Sequence, residues 1–190
     1  EAYGEQKVMP LSEQSEAVFS PAHLHQRHSY GASKYLDEVA IQHAVRSKDL
    51  DGRIVRPFNA YGPRLPSDEY GQVIAIMLAK AKSGHDIEVH GDGQQTRSFT
   101  WIHDVIEGML LVSDQEGLAG KAFNLGRDEE ISILDLAERI AALGSAKIVM
   151  QGSYHGDSTR RLPDLTGNQL ISWRANTSLS EGLALMNNEL

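Results

Sequence analysis

The sequence predicts a mixed α/β protein built on a parallel sheet. Three observations carry this. Between Ser29 and Lys48 the residues Tyr30, Lys34, Leu36, Val39, Ala40, His43 and Ala44 recur at helical spacing of three and four. Gly52 closes that stretch, and Arg53-Ile54-Val55-Arg56-Pro57-Phe58 follows at once as a short strand-like run. Helical and strand-like segments then alternate to the end of the chain without an internal repeat. A buried strand directly after a helix is what a parallel sheet with helical crossovers produces.

The elements follow in order. Residues 1 to 28 are polar and loop-like, with Pro10, Pro21 and several histidines. After the helix and strand above, Asn59 to Tyr70 reads as a loop punctuated by Tyr61-Gly62-Pro63 and Pro66. Gly71 to Ser83 is a second helix, rich in Ile, Met, Leu and Ala, with Gly84 as its C-terminal cap. Ile87-Glu88-Val89-His90 alternates as a strand, and Gly91-Asp92-Gly93 turns the chain into a further strand, Thr96 to Thr100. Ile102 to Ser113 is helical and Ala122 to Leu125 a brief strand. Ser132 is placed to cap an amphipathic helix from Ile133 to Leu143, which Gly144 ends. Lys147 to Met150 is a strand, and a charged, Gly-containing loop runs from Gln151 to Arg161. Ser178-Leu179-Ser180-Glu181 has the capping-box pattern that opens the last helix. Phe58, Phe99 and Trp101 are expected in the core, and Asp104 is expected to cap or orient its helix.

Composition narrows the function classes. The 190 residues are 41% hydrophobic and 23% charged, which suits one globular domain or one and a half small ones. Zero cysteines exclude a disulfide scaffold, a thiolate zinc site and a cysteine nucleophile. Eighteen basic against 26 acidic residues give a formal charge of −8, which argues against general binding to a nucleic-acid backbone. No run approaches the length of an apolar membrane span and no signal-peptide pattern is present, so a soluble, cytoplasmic protein is expected.

The chemistry centres on Ser29-Tyr30-Gly31-Ala32-Ser33-Lys34. Tyr30 and Lys34 are four apart, so a helix projects both side chains from one face. An ammonium beside a phenol stabilises the phenolate and makes a tyrosine a usable base near neutrality. The plain alternative is an amphipathic helix with an ordinary surface Tyr and Lys. His23-x-His25-x-x-His28 has no carboxylate or cysteine at ligand spacing, and no metal site is expected there. Arg56 lies within a strand and reads as structural. Arg64 stays open between a surface charge and an anion contact.

Further motifs follow in a fixed order: Arg56-Pro57-Phe58-Asn59-Ala60-Tyr61-Gly62-Pro63, then Val89 to Phe99, His103-Asp104-Val105, Phe123-Asn124-Leu125-Gly126 and Arg160-Arg161-Leu162-Pro163-Asp164. Together with the Tyr-Lys helix, this series resembles the extended short-chain dehydrogenase/reductase family, specifically its NAD-dependent nucleotide-sugar epimerases, dehydratases and decarboxylases. The resemblance runs through essentially the whole chain. It implies NAD as cofactor, with Tyr30 as the base that deprotonates a sugar 4-hydroxyl and Lys34 holding the nicotinamide ribose. Glu1-Ala2-Tyr3-Gly4 is similar to the family's S-E-x-Y-G strand end. That similarity implies Glu1 as an acid/base or an orienter of sugar hydroxyls, against the plain alternative of a frayed end. It implies Arg97 and Arg161 on the substrate diphosphate, Asn59 on the nucleotide-sugar, and Val89 with its neighbours along the base pocket. Bidentate guanidinium groups suit the two negative charges of a nucleotide diphosphate. A homodimer of the full-length enzyme, packed through the Tyr-Lys helix, is also implied.

The family opens with a G-x-x-G-x-x-G turn that holds the pyrophosphate, and this sequence has none. The expectation is therefore a C-terminal portion of the family fold that lacks the Gly-rich N-terminal half. Residues 1–66 would be the remnant of a Rossmann-like, doubly wound NAD-binding domain. Residues 67–190 would form mainly a smaller mixed α/β substrate-binding subdomain, with some segments returning to the first. Such a stripped sheet is expected to be non-monomeric or poorly stable alone. A UDP-sugar 4-epimerase or UDP-glucuronate decarboxylase type is favoured over a 4,6-dehydratase. The alternative is a non-catalytic nucleotide-sugar-binding or interaction module.

Overall fold

The computed structural model describes residues 1–24, 28–68, 71–152 and 160–189. The Tyr-Lys segment forms helix α1 (His28–Arg46), and the strand after it is β1 (Ile54–Pro57). The chain continues through β2 (Ala60–Tyr61), α2 (Val73–Lys82), β3 (Ile87–His90), β4 (Thr96–Arg97), β5 (Thr100–Trp101) and α3 (Ile102–Asp114). It ends with β6 (Ala122–Leu125), β7 (Ile131–Ser132), α4 (Ile133–Ala141), β8 (Ile148–Gln151), β9 (Arg160–Arg161) and α5 (Leu179–Glu189).

The predicted parallel pairing is present. β1 runs parallel to β6, with Ile54 opposite Ala122 and Pro57 opposite Leu125. β2 pairs in parallel with β5, and β3 with β8. A small mixed sheet has the order β7-β4-β9, in which β4 is antiparallel to β7 and parallel to β9. The architecture is thus α/β, with Rossmann-like parallel elements and a smaller mixed part. β6, which pairs with β1, comes from beyond residue 66.

Local chemistry sets the helix ends. The Ser132 hydroxyl accepts the Asp135 amide at 3.0 Å, and the Ser178 hydroxyl accepts the Glu181 amide at 3.2 Å. Gly84, just past the Ser83 cap of α2, sits at φ +70°, the left-handed turn that glycine adopts without strain. Two expectations change. The single strand from Thr96 to Thr100 is two, because β4 pairs with β7 and β9 while β5 pairs with β2. Gly91-Asp92-Gly93 therefore links strands of different sheets. Asp104 does not cap α3, whose N-cap is Trp101, but orients it. Its buried carboxylate accepts the Thr177 amide at 2.9 Å and lies 3.2 Å from the Thr177 hydroxyl, tying α3 to the segment before α5. His25 and residues 153–159 of the charged loop lie outside the described residues.

Burial is concentrated. Ile74, Leu78, Ile87, Val89, Leu136, Ile140, Leu183 and Met186 form one core under α2, α4, β3 and α5. Val105, Val112, Phe123, Leu125 and Trp173 form a second, between α3 and β6. Tyr3, Leu11 and Phe58 make a third, small cluster beside the N-terminal segment. Phe58, Phe99 and Trp101 are all buried, as expected from the sequence. No described helix is long and apolar enough to cross a membrane.

Candidate active site

Two clefts meet along one side of the molecule. The first, of about 610 Å³, is bordered by the N-terminal segment, α1, β1 and β9; Glu1, Tyr30, Lys34, Glu38, Arg56 and Arg161 line it. The second, of about 680 Å³, lies over α2, β3 and β4, where Lys80, Glu88, His90, Gln95 and Arg97 line it. Asn59 and Gln72 border both.

The helix α1 delivers Tyr30 and Lys34 to the first cleft from one face, as their spacing requires. Tyr30 is exposed, and the Lys34 ammonium lies 5.7 Å from the centre of its ring. Lys34 also donates to Asp37 at 2.8 Å, and that bond holds its pKa above the ordinary lysine value. Gly31, the residue between them that is buried, lets the helix approach the N-terminal segment: a Cβ there would sit 2.6 Å from the Glu1 carbonyl oxygen.

The arginines follow from sheet register. Arg97 on β4 and Arg161 on β9 are direct partners in the parallel ladder, so both side chains leave the same face. Arg161 reaches the first cleft and Arg97 the second. In this structure Arg161 forks onto the Glu1 carboxylate, with the second bond at 3.2 Å. The site therefore already shows that this guanidinium accepts a planar oxyanion. Arg160, one residue earlier, is held by Glu130 through bonds of 2.5 to 2.9 Å. That contact, with a smaller one from Thr96, holds the Glu130 carboxyl below the usual range.

Asn59 sits at φ +37°, a left-handed conformation that asparagine tolerates better than most residues. Its side-chain amide donates to the Ser98 carbonyl at 2.7 Å, and its main-chain carbonyl accepts the Thr100 amide at 3.3 Å. These bonds fix it at the seam of the two clefts. Val89 needs a correction. Its side chain is fully buried in the core and borders neither cleft, so only its main chain is left to face a ligand. Strand alternation explains this: Ile87 and Val89 point inward, so Glu88 and His90 line the second cleft.

The sequence reading missed Glu38. It falls four residues after Lys34 and eight after Tyr30, on the same helical stripe. Arg56 binds it with a two-point fork, Nε to Oε1 at 2.9 Å and Nη2 to Oε2 at 2.6 Å. The same guanidinium lies 4.6 Å over the Tyr3 ring. Burial opposes the Arg56 charge, but Glu38 and Tyr3 together outweigh it, so its pKa is raised. The Tyr3 hydroxyl donates to Asn124 at 2.5 Å, and burial pushes its pKa up from 10. Helical spacing was the signal available for Glu38; its partner on β1 gave none.

The parallel α/β fold thus places the Tyr-Lys helix and Arg161 in one cleft and Arg97, its ladder partner, in the adjoining one, an arrangement suited to a protein that handles nucleotides. The description "NAD dependent epimerase/dehydratase family" matches residues 1–126, and the chain belongs to that family. It is 34% identical over 163 residues to UDP-glucuronic acid decarboxylase 4 of Arabidopsis thaliana, covering 84% of this chain and 36% of that protein. Its fold is similar to the UDP-glucose 4-epimerase of Thermotoga maritima, solved with UDP-glucose, at a TM-score of 0.88 and 25% identity. That likeness covers 98% of this chain and 59% of the epimerase. It is also similar to the UDP-glucuronic acid 4-epimerase of Bacillus cereus, in complex with UDP-glucuronic acid and NAD, at a TM-score of 0.85 and 26% identity, over 99% of this chain and 58% of that one.

Those figures correct one expectation. The likeness runs through 98–99% of this chain, and the reading of it as a C-terminal portion lacking an N-terminal half is set aside on that finding. The chain spans between 36% and 59% of the length of these three relatives. The donors on α1 fit the ribose end of a nicotinamide dinucleotide. A hydroxyl and an ammonium, both exposed and four residues apart, face one cleft, where diol oxygens can accept from them.

Proposed function

We propose that the chain forms the catalytic and substrate-binding part of an NAD-dependent enzyme that modifies a nucleotide-diphosphate sugar through a 4-keto intermediate. The carrying observation is the ladder pairing of Arg97 with Arg161 across clefts that share Asn59, with Tyr30 and Lys34 in the cleft that Arg161 enters. Phosphate oxygens at the two guanidiniums would leave the sugar at the Tyr30 end and the base over β3. In this reading residues 1–66 carry the cofactor side and residues 67–190 mainly the nucleotide-sugar side.

When bound, NAD supplies a hydride acceptor that gives the hydride back at the end of the cycle. Lys34 and Tyr30 would hold its ribose. Tyr30 takes the proton of the sugar 4-hydroxyl as C4 becomes a carbonyl, and Lys34 offsets the charge on the phenolate. Arg97 and Arg161 bind the diphosphate and fix the sugar's register. Glu1, once Arg161 turns to phosphate, is placed to orient sugar hydroxyls or move a proton. Return of hydride to the opposite face gives a 4-epimerase; loss of carbon dioxide from a 4-keto uronate gives a decarboxylase. The reading favours these two outcomes over a 4,6-dehydratase; the decarboxylase and the epimerases named above lean that way, while a dTDP-glucose 4,6-dehydratase of Streptomyces venezuelae shares the fold to the same degree.

The test is incubation of the protein with NAD and UDP-glucuronate, with products followed by NMR, for wild type and Tyr30→Phe. The reading expects wild-type turnover and a fall of about 100-fold or more in Tyr30→Phe, with UDP affinity retained. Binding of UDP-glucuronate without turnover would replace it with the non-catalytic module.

A further inference from the structure

Tyr30, Lys34 and Glu38 form one stripe along α1, and all three line the first cleft. An ammonium and a carboxylate four residues apart on a helix are natural partners. Glu38 is also the better shielded acid: its side chain is 14% exposed, against 60% for Asp37. A Glu38 released by Arg56 would compete with Asp37 for Lys34 from one helical turn away. The structure shows a different pairing. Lys34 bonds to the exposed Asp37, and both oxygens of Glu38 are taken by Arg56.

Arg56 is itself held from three sides. Its fork grips Glu38, its Nη1 donates to the Glu13 carbonyl at 3.4 Å, and its face covers the Tyr3 ring. Glu13 in turn accepts the Asn124 amide at 2.8 Å, which ties this group to β6. Arg56 thus stays on Glu38. An exposed pair such as Lys34 with Asp37 is weak and gives way to a better partner.

We infer that Arg56 is a positioning residue that keeps Glu38 away from Lys34, so that the Lys34 ammonium stays free to turn from Asp37 to Tyr30 and to a bound dinucleotide. This rests on the roles given to Tyr30 and Lys34 under the proposed function. It makes an asymmetric prediction. A clamp that merely holds α1 against β1 fails alike when either partner is removed. A shield fails only when Arg56 is removed, because only then does a free carboxylate remain beside Lys34.

The experiment is NAD titration by calorimetry, well below the unfolding temperature, on wild type, Arg56→Gln, Glu38→Gln, the double variant and Lys34→Ala. Arg56→Gln is expected to weaken NAD binding about tenfold. Glu38→Gln and the double variant should remain within about threefold of wild type. A crystal structure of Arg56→Gln should show Glu38 bonded to Lys34. Arg56→Lys keeps the charge but loses the fork, and is expected to fall between; it replaces Arg56→Gln if that variant folds poorly. Equal losses in Glu38→Gln and Arg56→Gln, or none in Arg56→Gln while Lys34→Ala binds weakly, overturn the inference. Unchanged NAD affinity in Lys34→Ala would instead overturn the role given to Lys34, and the inference with it.

Discussion

The two sides of the candidate site are held in place by different forces. Around the second cleft, α2, α4 and β3 are anchored by apolar burial: Ile74, Leu78, Ile87, Leu136 and Ile140 are all fully buried. Around the first cleft, α1 has almost none of this. Tyr35, Leu36 and Val39 are exposed, and of the helix residues whose side chains are described only Gly31 is buried. Polar contacts hold it instead, namely the Arg56–Glu38 fork and a 2.6 Å bond from Gln42 to the Gly120 carbonyl. The difference teaches that Arg97 rests on a close-packed foundation, whereas Tyr30 and Lys34 sit on a helix with little apolar burial, whose described contacts to the rest of the chain are largely polar. Close-packed apolar contacts resist displacement at every point.

That contrast can be broken at graded cost. Leu78→Ala, in the core behind the second cleft, should lower unfolding stability by about 3–5 kcal/mol in denaturant melts. Leu36→Ala, on the exposed face of α1, should stay within about 0.5 kcal/mol. Arg56→Gln should cost about 3 kcal/mol, the low end for a half-broken buried pair, because Lys34 is within reach of the released Glu38. A loss for Leu36→Ala comparable to that for Leu78→Ala would show that α1 is held by apolar burial after all.

Ligand binding sharpens the same comparison. Arg97→Ala should weaken UDP binding by about 10- to 100-fold, since a charge-assisted bond to a phosphate is lost from a rigid strand. A further effect is on alkaline stability. Burial raises the Tyr3 pKa above 10, so the native state keeps a proton that the unfolded chain releases. The unfolded state then binds fewer protons, and stability present below pH 10 falls as pH rises through the folded value. Tyr3→Phe should flatten that alkaline decline in melts followed against pH, while costing about 1 kcal/mol near neutrality through the lost bond to Asn124.

Much of this was legible in the chain itself, and the exceptions share a cause. The spacing of Tyr30, Lys34 and Ala44 gave α1, and Ser132 and Ser178 gave the starts of α4 and α5, because caps and periodicity are local. The two-residue strands β2, β4, β5, β7 and β9 owe their form to partners far along the chain, and β4 and β5 were accordingly read as one. The Arg56–Glu38 pair joins a strand to a helix 18 residues away, and Arg161 meets Glu1 across 160 residues. Nothing in local pattern marks such pairs. Val89 is the opposite case: the alternation of Ile87-Glu88-Val89-His90 already pointed its side chain inward, and only the resemblance placed it along a base pocket.

The claim on which the rest depends is that one anionic substrate spans both clefts, with phosphates between Arg97 and Arg161 and the sugar at Tyr30. A crystal structure with UDP-glucuronate tests it most directly. The account predicts the diphosphate bonded to both guanidiniums, Arg161 released from Glu1, and the sugar 4-hydroxyl about 3 Å from the Tyr30 oxygen. A sugar directed away from α1, with Arg161 still on Glu1, would contradict it.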